Sequence, residues 1–188
     1  MAFAEPAFDT PVPDAPAAAP PAPDVFAIPT VDRQAYRGGM ARLASAVNII
    51  TSAGPDGPVG FTASAVTSVT DDPATLIVCV NRGVQAHPTL TASRILCVNT
   101  AAAPHEGLAM AFAGATKDMT ERFAGASWST LVTGAPALDG AAAAFDCRVV
   151  SIVDGATHDV FFCEVLAVRE TPEAEALVYH ARKFHRLS

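Results

Sequence analysis

The stretch Gly60–Asn81, GFTASAVTSVTDDPATLIVCVN, sets short hydroxyl side chains at strand spacing. Side chains alternate along a strand, so Thr62, Ser64, Ser68 and Thr70 share one face, with Val66 among them. Phe61, Ala63, Ala65, Thr67 and Val69 take the other face. Such a hydroxyl face has two uses. It is the solvated side of an antiparallel sheet, or it is the wall of a ligand site, where hydroxyls and backbone N–H groups hold polar atoms and small side chains admit a flat ring. The pattern alone leaves both open. Other polar residues stand singly at strand ends and turns. Asn81 and Asn99 each end an apolar run, where an amide closes a turn or meets a ligand. Arg82 and Lys117 can neutralise a phosphate or serve as solvated surface charge. His158 opens a strand just after a turn, a place that suits a structural or a ligand-facing histidine. In YHARKFH, His180 and His185 flank Arg182 and Lys183, an anion site or a solvated chain end.

Several chemistries lack their residues. There is no GxxxxGK[ST] loop, no GxGxxG opening a helix, no GxSxG elbow and no HExxH. The acids are scattered and form no paired-carboxylate pattern. Cys79, Cys97, Cys147 and Cys163 form no CxxC pair, and each sits in an apolar run. They read as buried reduced thiols rather than as metal ligands, which fits a cytoplasmic protein.

The chain has 188 residues, 51% of them hydrophobic, enough for one domain with a sizeable core. Net charge is -7, and the acids Glu5, Asp9, Asp14 and Asp24 supply -4 of it, leaving -3 for the remainder. That balance argues against a nucleic-acid partner. No apolar run is long enough to span a membrane as a helix. The N-terminus lacks a basic region followed by a leucine-rich one, so no signal peptide is expected. Eight of the 15 prolines fall within residues 1–29. Proline removes amide donors and fixes φ, so this segment is expected to be a disordered Pro/Ala-rich tail, with the folded domain at 30–188.

The elements that must position these residues follow in order. Thr30 is expected to cap a helix reading VDRQAYRGGMARLAS, with Tyr36, Met40 and Leu43 facing the core. A strand over 46–52 leads to the turn Gly54–Gly57. Two strands then meet at Asp71-Asp72-Pro73. A short helix ends near Ser93, and ILCVNT (95–100) is a strand. Residues 104–114 and 117–125 read as short helices, and Trp128 falls in an irregular segment. Long strands over 144–153 and 158–169 flank a turn at Asp154–Thr157; a short strand over 177–181 precedes the closing residues. Helices and strands do not alternate regularly, so the expected class is mainly β: a barrel with peripheral helices.

The run AVNIITSAGPDGPVGFTASAVTSVTDDPATLIVCVNRG resembles the short-chain flavin reductases with the FMN-binding split-barrel fold. ILCVNT, ERFAGASW, FDCRV, GATHDVFFCEV and YHARKFH continue the likeness over roughly residues 31–188. NRG and FDCRV favour the NADH-dependent FMN reductases of pyrimidine utilisation over the reductase components of 4-hydroxyphenylacetate-type monooxygenases.

The resemblance implies a split antiparallel β-barrel working as a homodimer. It implies hydride transfer from nicotinamide C4 of NADH to flavin N5, with FMN or FAD as the flavin. Reduced flavin then passes to a partner monooxygenase. By the same likeness, Thr62, Ala63, Ser64 and Ala65 meet the flavin ring edge and ribityl chain, with Ser68 further along. Asn81 and Arg82 begin the phosphate loop, and Asn99 and Thr100 approach from the next strand. Phe112, Ala113 and Lys117 belong to a phosphate-side or groove-lining segment. His158 reaches the nicotinamide side and is the one residue placed at the reacting centre. Tyr179, Arg182 and Phe184 frame the NADH pocket. Val84-Gln85 stands where many relatives carry a serine, which leaves the phosphate contacts open. A non-catalytic flavin-binding module is the other use of the same barrel.

Overall fold

The computed structural model describes residues 24–187, so most of the expected disordered tail lies outside the described residues. Residues 24–30 are exposed and form no helix or strand. The first helix, α1, spans Arg33–Met40. Its cap is Asp32 rather than Thr30: the Asp32 carboxylate accepts from the amides of Gln34 (2.8 Å) and Ala35 (2.9 Å). The expected core face is not buried. Tyr36 is 59% exposed, Met40 46% and Leu43 57%. Helical spacing identifies an apolar stripe, not what covers it, and nothing among the described residues packs over this one.

Next come β1 (Ser45–Ala46), β2 (Asn48–Gly54) and β3 (Gly57–Ala63), the last two joined at the expected Gly54–Gly57 turn. β4 (Val66–Asp71) and β5 (Ala74–Asn81) form a hairpin. The hydroxyl-rich run is therefore two strands, broken at Ser64-Ala65, and not one. α2 (His87–Ser93) and β6 (Ile95–Thr100) follow as expected. A turn of 3-10 helix (Ala103–His105), α3 (Glu106–Met110) and a wider π turn (Ala111–Ala115) make up the segment expected as one helix. α4 is Met119–Ala124. Trp128 belongs to a short strand, β7 (Trp128–Thr130), paired with β8 (Pro136–Leu138). β9 (Ala143–Gly155) and β10 (His158–Glu170) are the long hairpin. β11 (Ala176–His180) pairs with β12 (Lys183–Leu187), a strand that the sequence pattern did not reveal.

Seven strands form one antiparallel sheet in the order β3-β2-β6-β9-β10-β5-β4. Its two edge strands, β3 and β4, are consecutive in the chain. The sheet therefore curls until its edges are two residues apart, which gives the split barrel expected for the class. At the split, the Cys79 amide donates to the Ala65 carbonyl (3.0 Å).

The interior is apolar. Ile50, Val78, Val80, Leu96 and Phe161 are fully buried inside the curl. A second cluster lies under the helices, where Phe112 meets Phe123 and Trp128 edge-on at 5.1 Å and 5.8 Å between ring centroids. Asn99 is one of several polar groups buried beside these clusters. The Asn99 amide donates to the Ile49 carbonyl (2.9 Å) and Thr51 Oγ1 (3.1 Å), and its oxygen accepts from the Leu138 amide (2.7 Å). These bonds couple β6 to β2 and β8 with no polar atom left unpaired.

Gly60 fixes how closely β3 approaches the helices. A Cβ there would lie 2.7 Å from Phe112 Cε1 and 2.8 Å from the Ile50 carbonyl oxygen, and the latter is backbone that cannot turn aside. Gly60→Ala is expected to cost about 1–3 kcal/mol by overpacking, read as a lower urea midpoint at unchanged m-value.

Candidate functional site

Ser64 and Ala65 are exposed and lie outside any strand. Among the described residues, their amides donate to no backbone or side-chain acceptor. The Ser64 carbonyl accepts from the Val66 amide (3.1 Å), which holds the kink. The side chains around it are short, so the donors stay open.

Three hollows meet at Ser64. The first, about 310 Å³, is walled by Thr62, Ala63, Ser64 and Ala65 with Cys79, Asn81, Val84 and His158. The second, about 220 Å³, shares Thr62, Ala63 and Ser64 and adds Met110, Ala113, Tyr179 and Phe184. The third, about 510 Å³, runs from Ser64 and Tyr179 to Arg37 and Arg182. The structure thus gathers ten of the residues singled out from sequence: Thr62, Ala63, Ser64, Ala65, Asn81, Ala113, His158, Tyr179, Arg182 and Phe184.

The others stand elsewhere. Ser68 and Thr100 line a separate hollow of about 400 Å³ with Val66, Leu76 and Phe145. Asn99 is fully buried, and its amide is occupied by the core bonds above, so it is a structural residue with no face toward the site. Phe112 is 2% exposed and its ring is core, not groove lining. Both assignments from sequence are corrected by the same fact: a residue at a strand or helix end is accessible only if no second layer covers it, and here a layer does. Lys117 is exposed and lines none of these hollows.

Arg82 is committed to its own chain. Its guanidinium donates to Asp159 from Nε (3.0 Å) and Nη2 (2.5 Å), and Nη2 also lies 3.0 Å from Asp154. The second oxygen of Asp159 meets His87 Nε2 at 2.7 Å. Arg82 and then His87 hold the Asp159 carboxyl below its ordinary pKa. The Ala156 amide and then Arg82 do the same for Asp154, and the two carboxylates raise Arg82 in turn. The Arg82 amide also donates to the Thr157 carbonyl (3.1 Å). This clamp ties the loop after β5 to the β9–β10 turn. It fixes the end of β10, where His158 sits opposite Asn81 in register and its Nδ1 lies 3.0 Å from Thr157 Oγ1. The Asn81 oxygen accepts from the Gly83 amide (2.7 Å), so Asn81 shapes its own turn while facing the hollow.

Sequence reading missed Arg37, Cys79, Met110 and Asp159. Asp159 had a signal: an acid at an inward position of an apolar strand needs a cationic partner. Arg37 had none, because only the fold brings α1 beside the β11–β12 turn. Three of the four thiols are buried as expected, and burial raises Cys97 and Cys163 to about 12 and Cys147 likewise upward; Cys79 departs from the expectation, half-buried on the wall of the first hollow. Among the described residues no group of His, Cys, Asp and Glu could hold a metal ion, and no helix is long and apolar enough to cross a membrane.

The flavin reductase like domain matches residues 40–188. The FMN reductase (NADH) RutF of Stutzerimonas stutzeri A1501 is 55% identical over 163 residues, which are 87% of this chain and 92% of that protein. A candidate flavin reductase of Haemophilus somnus 129PT, solved by crystallography, superposes with TM-score 0.82 at 42% identity, covering 84% of this chain and all 100% of that one. The styrene monooxygenase flavin reductase of Pseudomonas putida S12 superposes with TM-score 0.72 at 25% identity, covering 81% of this chain and 97% of that one. By the extent of the domain match and the identity to these relatives, the chain belongs to the flavin reductase like family.

Proposed function

We propose that this enzyme is an NADH-dependent FMN reductase that passes reduced flavin to a partner monooxygenase in pyrimidine degradation, working as a homodimer. The observation that carries the reading is the kink at Ser64-Ala65. Two open amide donors, short side chains and adjoining hollows suit a flat ring with polar edges. FMN fits that description, and FAD shares the ring. The exposed valines Val69, Val150, Val153 and Val168 support an interface between copies.

When bound, the two cofactors supply the hydride chemistry between nicotinamide C4 and flavin N5. The protein's part is positional. Amides at Ser64 and Ala65 would donate to the ring edge. Thr62 is fixed by donating its hydroxyl to the Ala109 carbonyl (2.6 Å), so that wall is rigid. His158 lines the same hollow as the Thr62–Ala65 wall, where it would orient the second ring and limit water. No side chain is asked to move a proton, which accords with the absence of triad and metal motifs.

Purified protein is expected to oxidise NADH at a rate that rises and saturates with added FMN, followed by loss of NADH absorbance. Tight flavin retention without turnover would indicate a flavin-binding module instead. His158→Ala is expected to raise KM for NADH by about tenfold, the loss of one good hydrogen bond, with the Kd for FMN unchanged. Equal loss of both would refute the assigned side.

Asp159 has a lowered carboxyl pKa in the folded state. Its contribution to stability is therefore complete above the ordinary carboxylate value and is lost as pH falls through the lowered one. Asp159→Asn is expected to lower Tm at neutral pH, and the gap from wild type is expected to close toward acid. A gap independent of pH would show that the clamp is not ionic.

A further inference from the structure

We infer that the hollow between α1 and the β11–β12 turn is an anion site, in which Arg37 and Arg182 receive a phosphate group of a nucleotide cofactor. The inference rests on the reductase reading for its ligand class and on the geometry for its location.

The starting point is a deficit on the other side. A nucleotide phosphate needs a cation or several open amides, and the arginine nearest the first hollow, Arg82, is already shared by Asp154 and Asp159. Across Ser64 the situation reverses. The hollow of about 510 Å³ is lined by Arg37 and Arg182, with Ser45, Ser64 and Tyr179 as further polar groups, and by no carboxylate. Neither arginine has an acidic partner within salt-bridge distance among the described residues. Two guanidiniums thus line one concavity with no carboxylate beside them, in a chain whose net charge is -7. Ser64 and Tyr179 also line the adjoining hollow, so one ligand can reach from the kink to both arginines.

The backbone holds the pair in place. Ala181 and Arg182 form a two-residue turn between His180 and Lys183, both at positive φ (49° and 63°). That turn ordinarily selects glycine or asparagine, and other residues adopt it at a cost in strain. Here the Ala181 amide donates to the Ala41 carbonyl (2.8 Å) just after α1, which brings the turn that carries Arg182 against the helix that carries Arg37. Arginine suits the role because its fork bonds phosphate oxygens in pairs.

The phosphate has two sources, the diphosphate of NADH or the monophosphate of FMN, and calorimetric titration separates them. Wild type and Arg37→Gln/Arg182→Gln are titrated with NADH, FMN, nicotinamide riboside and riboflavin. The double variant is expected to lose roughly tenfold in affinity, as for a charge-assisted hydrogen bond, for NADH or for FMN. The nucleosides, which lack phosphate, are expected to bind as in wild type. Loss for NADH alone assigns the dinucleotide, and loss for FMN alone assigns the flavin phosphate. Equal loss for phosphorylated and unphosphorylated ligands, or no loss, overturns the proposal. Should the variant fail to fold, wild-type affinity against salt decides: binding that weakens with ionic strength for the phosphorylated ligands alone supports the site, and salt-independent binding overturns it. Turnover is scored separately, so a protein that binds NADH at this site without oxidising it would overturn the reductase reading and leave the anion site standing.

Discussion

Ser64 and Ala65 are all that joins the two edge strands of the seven-stranded sheet. Backbone donors at a sheet edge must be paired, covered or left to solvent. β2, β6, β9, β10 and β5 each have a hydrogen-bonded neighbour on either side. At the kink between β3 and β4 pairing stops, and small side chains leave the amides open. A closed barrel would have consumed those donors in its ladder. The site follows from the incomplete closure of the curl, and the hollows converge there for the same reason.

Around this opening the structure is held by polar anchors in an apolar setting. Asn99 locks three strands through bonds that leave nothing unpaired. Thr62 ties the β3 wall to the carbonyl of Ala109 in α3. Asp159 locks the loop after β5 to the β9–β10 turn through Arg82 and His87. Each anchor satisfies a buried or half-buried group that would otherwise be costly. Thr62 is itself part of the site wall, whereas the Asp159 clamp fixes the neighbouring His158 from outside the hollow. Rigidity of this kind matters where the work is to stack two rings, because misplacement by a fraction of an ångström weakens both binding and transfer.

Much of the frame was legible in the sequence. The apolar run ILCVNT and the strand pattern in GATHDVFFCEV gave strands to within a residue or two, and AGPDG and DGAT gave their turns. The kink was not legible, because GFTASAVTSV keeps an unbroken alternation through the two residues that leave the sheet. Strand propensity measures fit to a pleated surface and says nothing of where a sheet stops. The site divided along the same line. Thr62–Ala65 and Asn81 came from one contiguous run of the resemblance, His158 from a separate segment, and all line one hollow. Asn99 and Phe112 matched equally well but are covered by β8 and by the Phe123–Trp128 pair, layers that no local pattern announces. Asp159 owes its importance to partners 77 and 72 residues away, and Arg37 to a turn at the far end of the domain.

The strand order has a further consequence, for how the chain comes to be folded. β6 lies between β2 and β9, and β9 is far downstream of both. Until Ala143–Gly155 has been synthesised, β6 has one bare edge and the buried face of Ile50, Leu96 and Val98 has no lid. Pairings of such sequence separation form late, since loop closure must precede any reward. The N-terminal half alone therefore lacks the strand that covers the free edge of β6. Folding waits for the long hairpin, and a nascent chain stalled before it presents an apolar edge to whatever is near.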